Sequence, residues 1–359
     1  MRSVRAAHDC VGMSLVLIAA CGLASALACD RDLPDPVFDR PAPRLLETSP
    51  QQQERGFPLE RALRVRFDRY LHPASVIRQS VLVTPGIIDA ESGEYTGSAV
   101  FFEPAYDPYD NVVAFQLETR RRWVPTTLYS VRLLVPVDAF DITGFKAFDG
   151  APLENVVAFS FMTGSTVSNP DANVDDAVPR VRFCEHDDVS TKLPAVSSVL
   201  HASCAKAGCH GSSPASGPML GLDLSHPAAI ANTAIRVVAR QTMTGPSVAA
   251  TSTIPARFGD DMPRLDPHSA GNSYLVYKLL VNAGNHPSVG EAQREPDPWL
   301  GGEVGLSPAE RPSPEETARL RSWFVRGEPM PLNGRLEPDE MRAIVRWVLR
   351  GAATPACSD

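Results

Sequence analysis

A change of hydrophobic period partway along the chain limits its possible folds more than any other feature. From residue 44 to residue 164 apolar side chains recur at every second position. Leu63, Val65 and Phe67 alternate with Arg64, Arg66 and Asp68, and Val157, Phe159 and Phe161 alternate with Ala158, Ser160 and Met162. Tyr129, Val131 and Leu133 repeat the pattern, and further strand-like runs cover Val81 to Thr84, Ala99 to Phe102 and Val112 to Leu117. Turn-forming pairs such as Pro85-Gly86 and Asp149-Gly150 separate them, with Pro104 to Asp110 as a longer turn. Short strands at this spacing predict an antiparallel sandwich. From Val181 the period becomes helical: Leu193, Val196, Val199 and Leu200 share a face that runs directly into Cys204. Residues 165–180 carry Asp171, Asp175 and Asp176 without apolar periodicity and predict a solvated linker on which the two parts swing. The expected fold is therefore multidomain, an N-terminal all-β sandwich over residues 44–164 followed by a C-terminal all-α domain over residues 181–359.

The 359 residues suit two such modules. Residues 1–29 have the anatomy of an export signal, with Arg2 and Arg5 ahead of an apolar run from Met13 to Ala28. Ile18-Ala19-Ala20-Cys21 resembles a bacterial lipobox, and Ala26-Leu27-Ala28-Cys29 offers a second cleavage point. Cleavage before Cys21 or Cys29, with lipid on that cysteine, is the expectation. The Pro-rich residues 30–43 then tether the body to a membrane of the cell envelope, on its periplasmic face or outer surface. The net charge of −8 argues against a nucleic-acid partner, which needs a basic surface.

Of seven cysteines, four fall in the body that export would leave: Cys184, Cys204, Cys209 and Cys357. In an oxidising compartment each must be paired, modified or ligating. Cys184 and Cys357 bracket the helical part and are expected to form a disulfide. Cys204 and Cys209 are followed at once by His210 and Gly211, and this cluster has three readings. A zinc site needs about four ligands, and His201, His226 and His268 show no ligand-pair spacing. A Cys204–Cys209 disulfide gives His210 no reason to be adjacent. Covalent haem attachment accounts for all three residues, because the thiols add to the vinyl groups and the next His reaches the iron from the same side. The spacer of four residues is wider than the usual two.

Several segments of the β part, Thr48-Ser49-Pro50, Val65-Arg66-Phe67-Asp68 with His72-Pro73-Ala74-Ser75-Val76, Pro125-Thr126-Thr127-Leu128-Tyr129 and Phe159 to Gly164, resemble the bacterial Ig-like domains of surface lipoproteins and S-layer proteins. That resemblance implies a spacer or adhesive module. Farther on come the helix entering Cys204, then Gly208-Cys209-His210-Gly211, Leu220-Gly221-Leu222-Asp223-Leu224, Asn272-Ser273-Tyr274-Leu275, Met330-Pro331 and a closing helix with Trp347. This order resembles the cytochrome c-like domains of exported myxobacterial and planctomycete lipoproteins. The resemblance implies one covalent haem c, with Cys204 and Cys209 as thioether anchors, His210 as proximal ligand and Met330 as distal ligand, Met262 being the alternative. It implies no other metal, and an electron carrier serving a redox partner protein rather than an enzyme; an open distal position would instead permit peroxide or oxygen chemistry. Leu220, Leu222, Leu224, Leu275, Leu279, Leu280 and Ile344 are the pocket candidates. Pro312–Gly327 and Leu336–Gly351 look like copies of one helix, with Trp323 matching Trp347 and Glu316 matching Glu340. The alternative from another class is a haem-free surface lipoprotein, with a β-domain that binds a partner and a helical domain stapled by disulfides.

Overall fold

The computed structural model describes residues 40–86, 99–117, 122–137, 141–167, 180–187, 191–206, 208–211, 217–239, 262–286, 312–323, 327–332 and 334–357, with 178, 189, 306 and 325. The expected signal with Cys21 and Cys29, and most of the expected tether and linker, lie outside the described residues.

The strands are β1 (Leu45–Ser49), β2 (Arg55–Phe57), β3 (Leu63–Phe67), β4 (Val81–Pro85), β5 (Phe102–Asp107), β6 (Val112–Leu117), β7 (Leu128–Leu133) and β8 (Val157–Thr163). They form two four-stranded sheets, in the orders β1-β3-β6-β5 and β2-β8-β7-β4. Residues 45–163 are thus a β-sandwich, antiparallel except where the short β2 lies parallel to β8. The inward positions of both sheets meet in one core, where Phe57, Leu63, Val65, Phe67, Phe115, Val131 and Phe161 are essentially inaccessible. Trp123 caps it, edge-on to Phe161 at 5.2 Å. The segment expected to be a turn at Pro104 is instead the interior of β5. An edge strand tolerates that proline, because no neighbour on the open side needs its missing N–H.

The expected all-α cytochrome c-like domain is not what residues 181–357 form. Among the described residues this region holds five short α-helices: α1 (Val196–Ser203), α2 (Pro227–Thr233), α3 (Tyr274–Leu280), α4 (Pro314–Trp323) and α5 (Pro338–Leu349). Turns of 3-10 helix and single β-bridges, Ile235 with Leu265 and Val238 with Pro263, lie between them. Helices this short cannot enclose a core alone. Theirs is completed by the sandwich: the cluster of Val199, Ile230, Tyr277, Leu320, Ile344 and Trp347 also contains Tyr70, Tyr109, Val112, Ala114 and Phe148. Strand β6 shows how. Val113 and Phe115 belong to the sandwich core, while Val112 and Ala114 point the other way into the helical core. The central strands β3 and β6 are therefore covered on both faces, and the molecule is a mixed α and β structure in which the two parts are packed together, not swinging on a linker.

Charge is buried at this junction. Arg66 donates to the Asp110 carbonyl at 3.2 Å and pairs with Glu47 at 2.8 Å, and Arg342 of α5 stands 3.6 Å from the Asp110 carboxylate. Asp107 and Asp110 are wholly buried. Burial first, and then the Asp110 charge, push the Asp107 carboxyl up from 3.8 to about 7, against the opposing pull of Arg346. A carboxyl whose folded value is raised binds its proton more tightly in the folded chain. Its contribution to stability is full below about pH 4 and is lost as pH rises to about 7. Asp107→Asn keeps the acceptor that takes the Tyr109 and Asp110 N–H groups. It is expected to flatten the fall in urea midpoint between pH 4 and pH 7 relative to the parent chain.

Cys184 and Cys357 are joined by a disulfide with Cα atoms 5.4 Å apart, closing 173 residues of sequence. The chain-entropy argument assigns such a loop about 5 kcal/mol. The Cys184→Ser/Cys357→Ser pair is expected to lose stability on that scale in guanidinium titrations under non-reducing conditions.

Candidate functional site

The Cys-His cluster is a compact turn at the end of α1. Cys204 caps that helix, its N–H donating to the Leu200 carbonyl at 2.9 Å. The chain then folds back on itself: His210 N–H donates to the Cys204 carbonyl at 3.1 Å, and Cys209 N–H to the Lys206 carbonyl at 2.9 Å. Two glycines permit this. Gly208 has φ +81°, which an L side chain rarely adopts, and a Cβ on Gly211 would lie 2.2 Å from the Ala205 carbonyl oxygen.

Cys204 is half-buried against the helical core and Cys209 is exposed; both are free thiols. Burial, followed by the Glu340 charge, pushes the Cys204 thiol up to about 12. The His210 ring is held by the following segment. Its Nδ1 lies 3.3 Å from the Leu222 carbonyl, and the Met219 carbonyl also stabilises it. The backbone of the same segment is stitched to the turn, Met219 N–H to Cys209 O at 2.7 Å and Leu224 N–H to His210 O at 2.7 Å. Burial lowers the His210 pKa, which keeps the imidazole neutral at neutral pH, the state in which it ligates metals.

Met330 lies in the loop between α4 and α5. Its N–H donates to the Lys278 carbonyl of α3 at 3.2 Å, and the Lys278 charge acts on the His210 ring. Met330 is partly buried against the helical core, whereas Met262 is 2% exposed within it. The aliphatic candidates divide. Leu224, Leu279, Leu280 and Ile344 are core, Leu222 and Leu275 are half-buried beside it, and Leu220 is exposed. Met219, Leu220 and Leu332 leave apolar surface open on the two segments that carry the site, at 48%, 48% and 59% exposure.

The other histidines stand elsewhere. His226 caps α2 by accepting from Ala229 N–H at 3.2 Å, and His201 is exposed on α1. Among the described residues no group of three or more His, Cys, Asp or Glu is placed to hold a metal ion. The sequence did not single out Arg264, which organises the segment under His210. Its buried guanidinium donates to the carbonyls of Leu220 at 2.7 Å, Gly221 at 2.8 Å and Thr233 at 2.6 Å. No local motif announces it, because all three acceptors are backbone atoms more than thirty positions away.

No known family profile matches the chain, and no curated protein matches it in sequence. Among solved structures it is similar to the N-terminal part of the bacterial S-layer protein SbsC, at 12% identity over 35% of this chain and 24% of that one, with a TM-score of 0.24. It is also similar to PcoC, a methionine-rich copper resistance protein from Escherichia coli, at 14% identity over 34% of this chain and 99% of that one, with a TM-score of 0.25. CopC from Methylosinus trichosporium OB3b gives 13% identity over 34% and 93%, with a TM-score of 0.20. At these values none of the similarities assigns a function.

The turn predicts a reactivity order. In the haem-free chain at pH 8, exposed Cys209 is expected to be alkylated well before Cys204. Gly211→Ala should abolish the difference by forcing the turn open, as mass spectrometry of timed iodoacetamide reactions would show.

Proposed function

We propose that this chain is an exported, lipid-anchored electron carrier of the cell envelope, holding one covalent haem c. Cys204 and Cys209 are the thioether anchors, His210 the proximal ligand and Met330 the distal one, and Cys21 or Cys29 carries the lipid. The observation that carries the reading is the turn itself. Two thiols, free where the other two described cysteines are joined, share one tight turn with an imidazole whose Nδ1 faces the Leu222 carbonyl. Exposed apolar side chains at Met219, Leu220 and Leu332, with Leu222, Leu275 and Met330 half-buried against the helical core, support the reading as cover for a porphyrin. The haem would supply a one-electron couple, its iron saturated by imidazole and thioether. The protein's own contribution is attachment, a held imidazole and apolar cover. The redox partner is a protein.

An all-α cytochrome domain is no part of this proposal: the haem would sit on a helical layer completed by the β-sandwich. Periplasmic expression with the cytochrome c maturation machinery, followed by haem staining on a denaturing gel, tests it. The parent chain is expected to keep the stain, and Cys204→Ser/Cys209→Ser to lose it. A parent chain without stain rules the proposal out.

A further inference from the structure

The loop that carries Met330 is irregular and rich in Pro and Gly, yet the backbone of Met330 is fixed at both ends of the residue. Its N–H donates to the Lys278 carbonyl at 3.2 Å. Its carbonyl accepts from two side-chain amides, Asn285 Nδ2 at 3.0 Å and Asn282 Nδ2 at 3.2 Å. Asn282 also reaches the carbonyls of Pro331 and Gly334, each at 3.2 Å. Asn285 is wholly buried, and its amide has every group in use. The second Nδ2 hydrogen goes to Leu279 O at 2.9 Å, and Oδ1 accepts from Leu336 N–H at 2.7 Å. Burying a side-chain amide is costly unless all its bonds are made, and here two of them hold Met330 and Leu336 at the two ends of one loop while the third ties it to α3.

Asn285 is in turn backed by the sandwich. Tyr109, at the turn between β5 and β6, donates its hydroxyl to the Asn285 carbonyl at 3.2 Å. The Tyr109 ring stacks on His286 at 5.8 Å and faces the Arg342 guanidinium at 5.7 Å, while its N–H is held by Asp107 Oδ1 at 2.8 Å. His286 is anchored by Nε2 against the Leu280 carbonyl at 2.8 Å. A continuous series of buried contacts therefore runs from the sandwich through Tyr109 and Asn285 to the backbone of Met330.

Resting on the haem reading above, we infer that Asn285, buttressed by Tyr109 of the β-sandwich, is the positioning residue for Met330, so that the sandwich sets the distal side of the site and is more than a spacer. A thioether is a weak neutral ligand, and its hold on iron depends on the loop arriving pre-set, since an ordering cost met at the moment of ligation is subtracted from the bond. A loop closure of purely structural use would leave the ligation state unchanged when the clamp is loosened at constant fold.

The test uses the full, haem-loaded chain. Asn285→Asp keeps the acceptor for Leu336 N–H and loses the donors; Tyr109→Phe keeps the ring and loses only the hydroxyl; Asn282→Ala removes the outer amide. Each is assayed for covalent haem, for the sulfur-to-iron charge-transfer band and for affinity toward added imidazole, which competes with Met330. All are expected to retain covalent haem. Asn285→Asp should lose the band and bind imidazole about tenfold more tightly, the ratio that loss of its one bond to the Met330 carbonyl gives. Tyr109→Phe and Asn282→Ala should shift the affinity the same way by less, and they carry the test should Asn285→Asp fail to fold. Variants with stained haem, parental band and parental imidazole affinity overturn the positioning role alone. A Met330→Ala chain that keeps the band also overturns it, by placing the ligand elsewhere. A parent chain without covalent haem overturns the underlying reading as well, and the stain separates that outcome from the others.

Discussion

Arg69 stands where the sandwich and the helices meet, with its guanidinium almost wholly enclosed. One edge pairs with Asp149 at 2.7 Å and another with Glu316 of α4 at 2.9 Å, and the Pro41 carbonyl takes a further bond. The other oxygen of Glu316 accepts from the Tyr70 N–H at 3.2 Å, and Arg319 adds a bond at 3.1 Å. Removing one arginine and two carboxylates from water costs several kcal/mol per ion, and only complete hydrogen bonding offsets it. Each charge here is satisfied by groups from a different part of the chain: the end of β3, the loop after Phe148, and α4. The network can therefore form only when the helical layer lies on the sandwich in this one arrangement. Deleting a single partner would strand a buried charge, which typically costs about 3–5 kcal/mol.

With α4 fixed, the rest of the layer follows from apolar geometry. Val112 and Ala114 give α5 and its neighbours a surface that the helices lack among themselves, and Tyr70 meets Tyr277 of α3 edge-on at 6.2 Å. The matched helices α4 and α5 show how one pattern is put to two uses. Glu340 reaches back to the Glu337 N–H at 2.8 Å as half of a capping box, whereas Glu316 leaves its own helix to bind the sandwich. Their shared sequence predicts two helices, which form as α4 and α5, and says nothing of which Glu turns outward to a partner.

Much of the β part was legible because its signal is local. Alternation at Leu63–Phe67, Tyr129–Leu133 and Val157–Phe161 marks three strands, and α1 was legible as the helix entering Cys204. The alternation of Leu63, Val65 and Phe67 with Arg64 and Arg66 carries no sign of a second covered face, yet both arginines are buried. A corrective signal was present in Val112-Val113-Ala114-Phe115, an unbroken apolar run of the kind that strands buried on both faces display. The site divides in the same way. The turn of Cys204, Cys209 and His210 is readable because its bonds span six residues or fewer, and Gly208 and Gly211 fall where the backbone needs them. The contacts of His210 with Leu222, of Arg264 with Leu220 and of Asn285 with Met330 are long-range pairings to backbone carbonyls, which leave no pattern in composition or period.

The β5–β6 turn carries this coupling further. Within four residues it supplies Asp107 and Asp110, which face Arg66, Arg342 and Arg346, and Tyr109, which holds Asn285. Charge balance at the junction and the placement of the Met330 loop thus depend on one short segment. Asp107 Oδ1 fixes that segment by accepting from both Tyr109 and Asp110 N–H groups. A proton on Asp107 relieves its repulsion with Asp110 and weakens its attraction to Arg346. Sandwich and helices are for this reason one packed body: the Asp107 carboxylate, the Tyr109 hydroxyl and the Asn285 amide join the β5–β6 turn to the backbone of Met330.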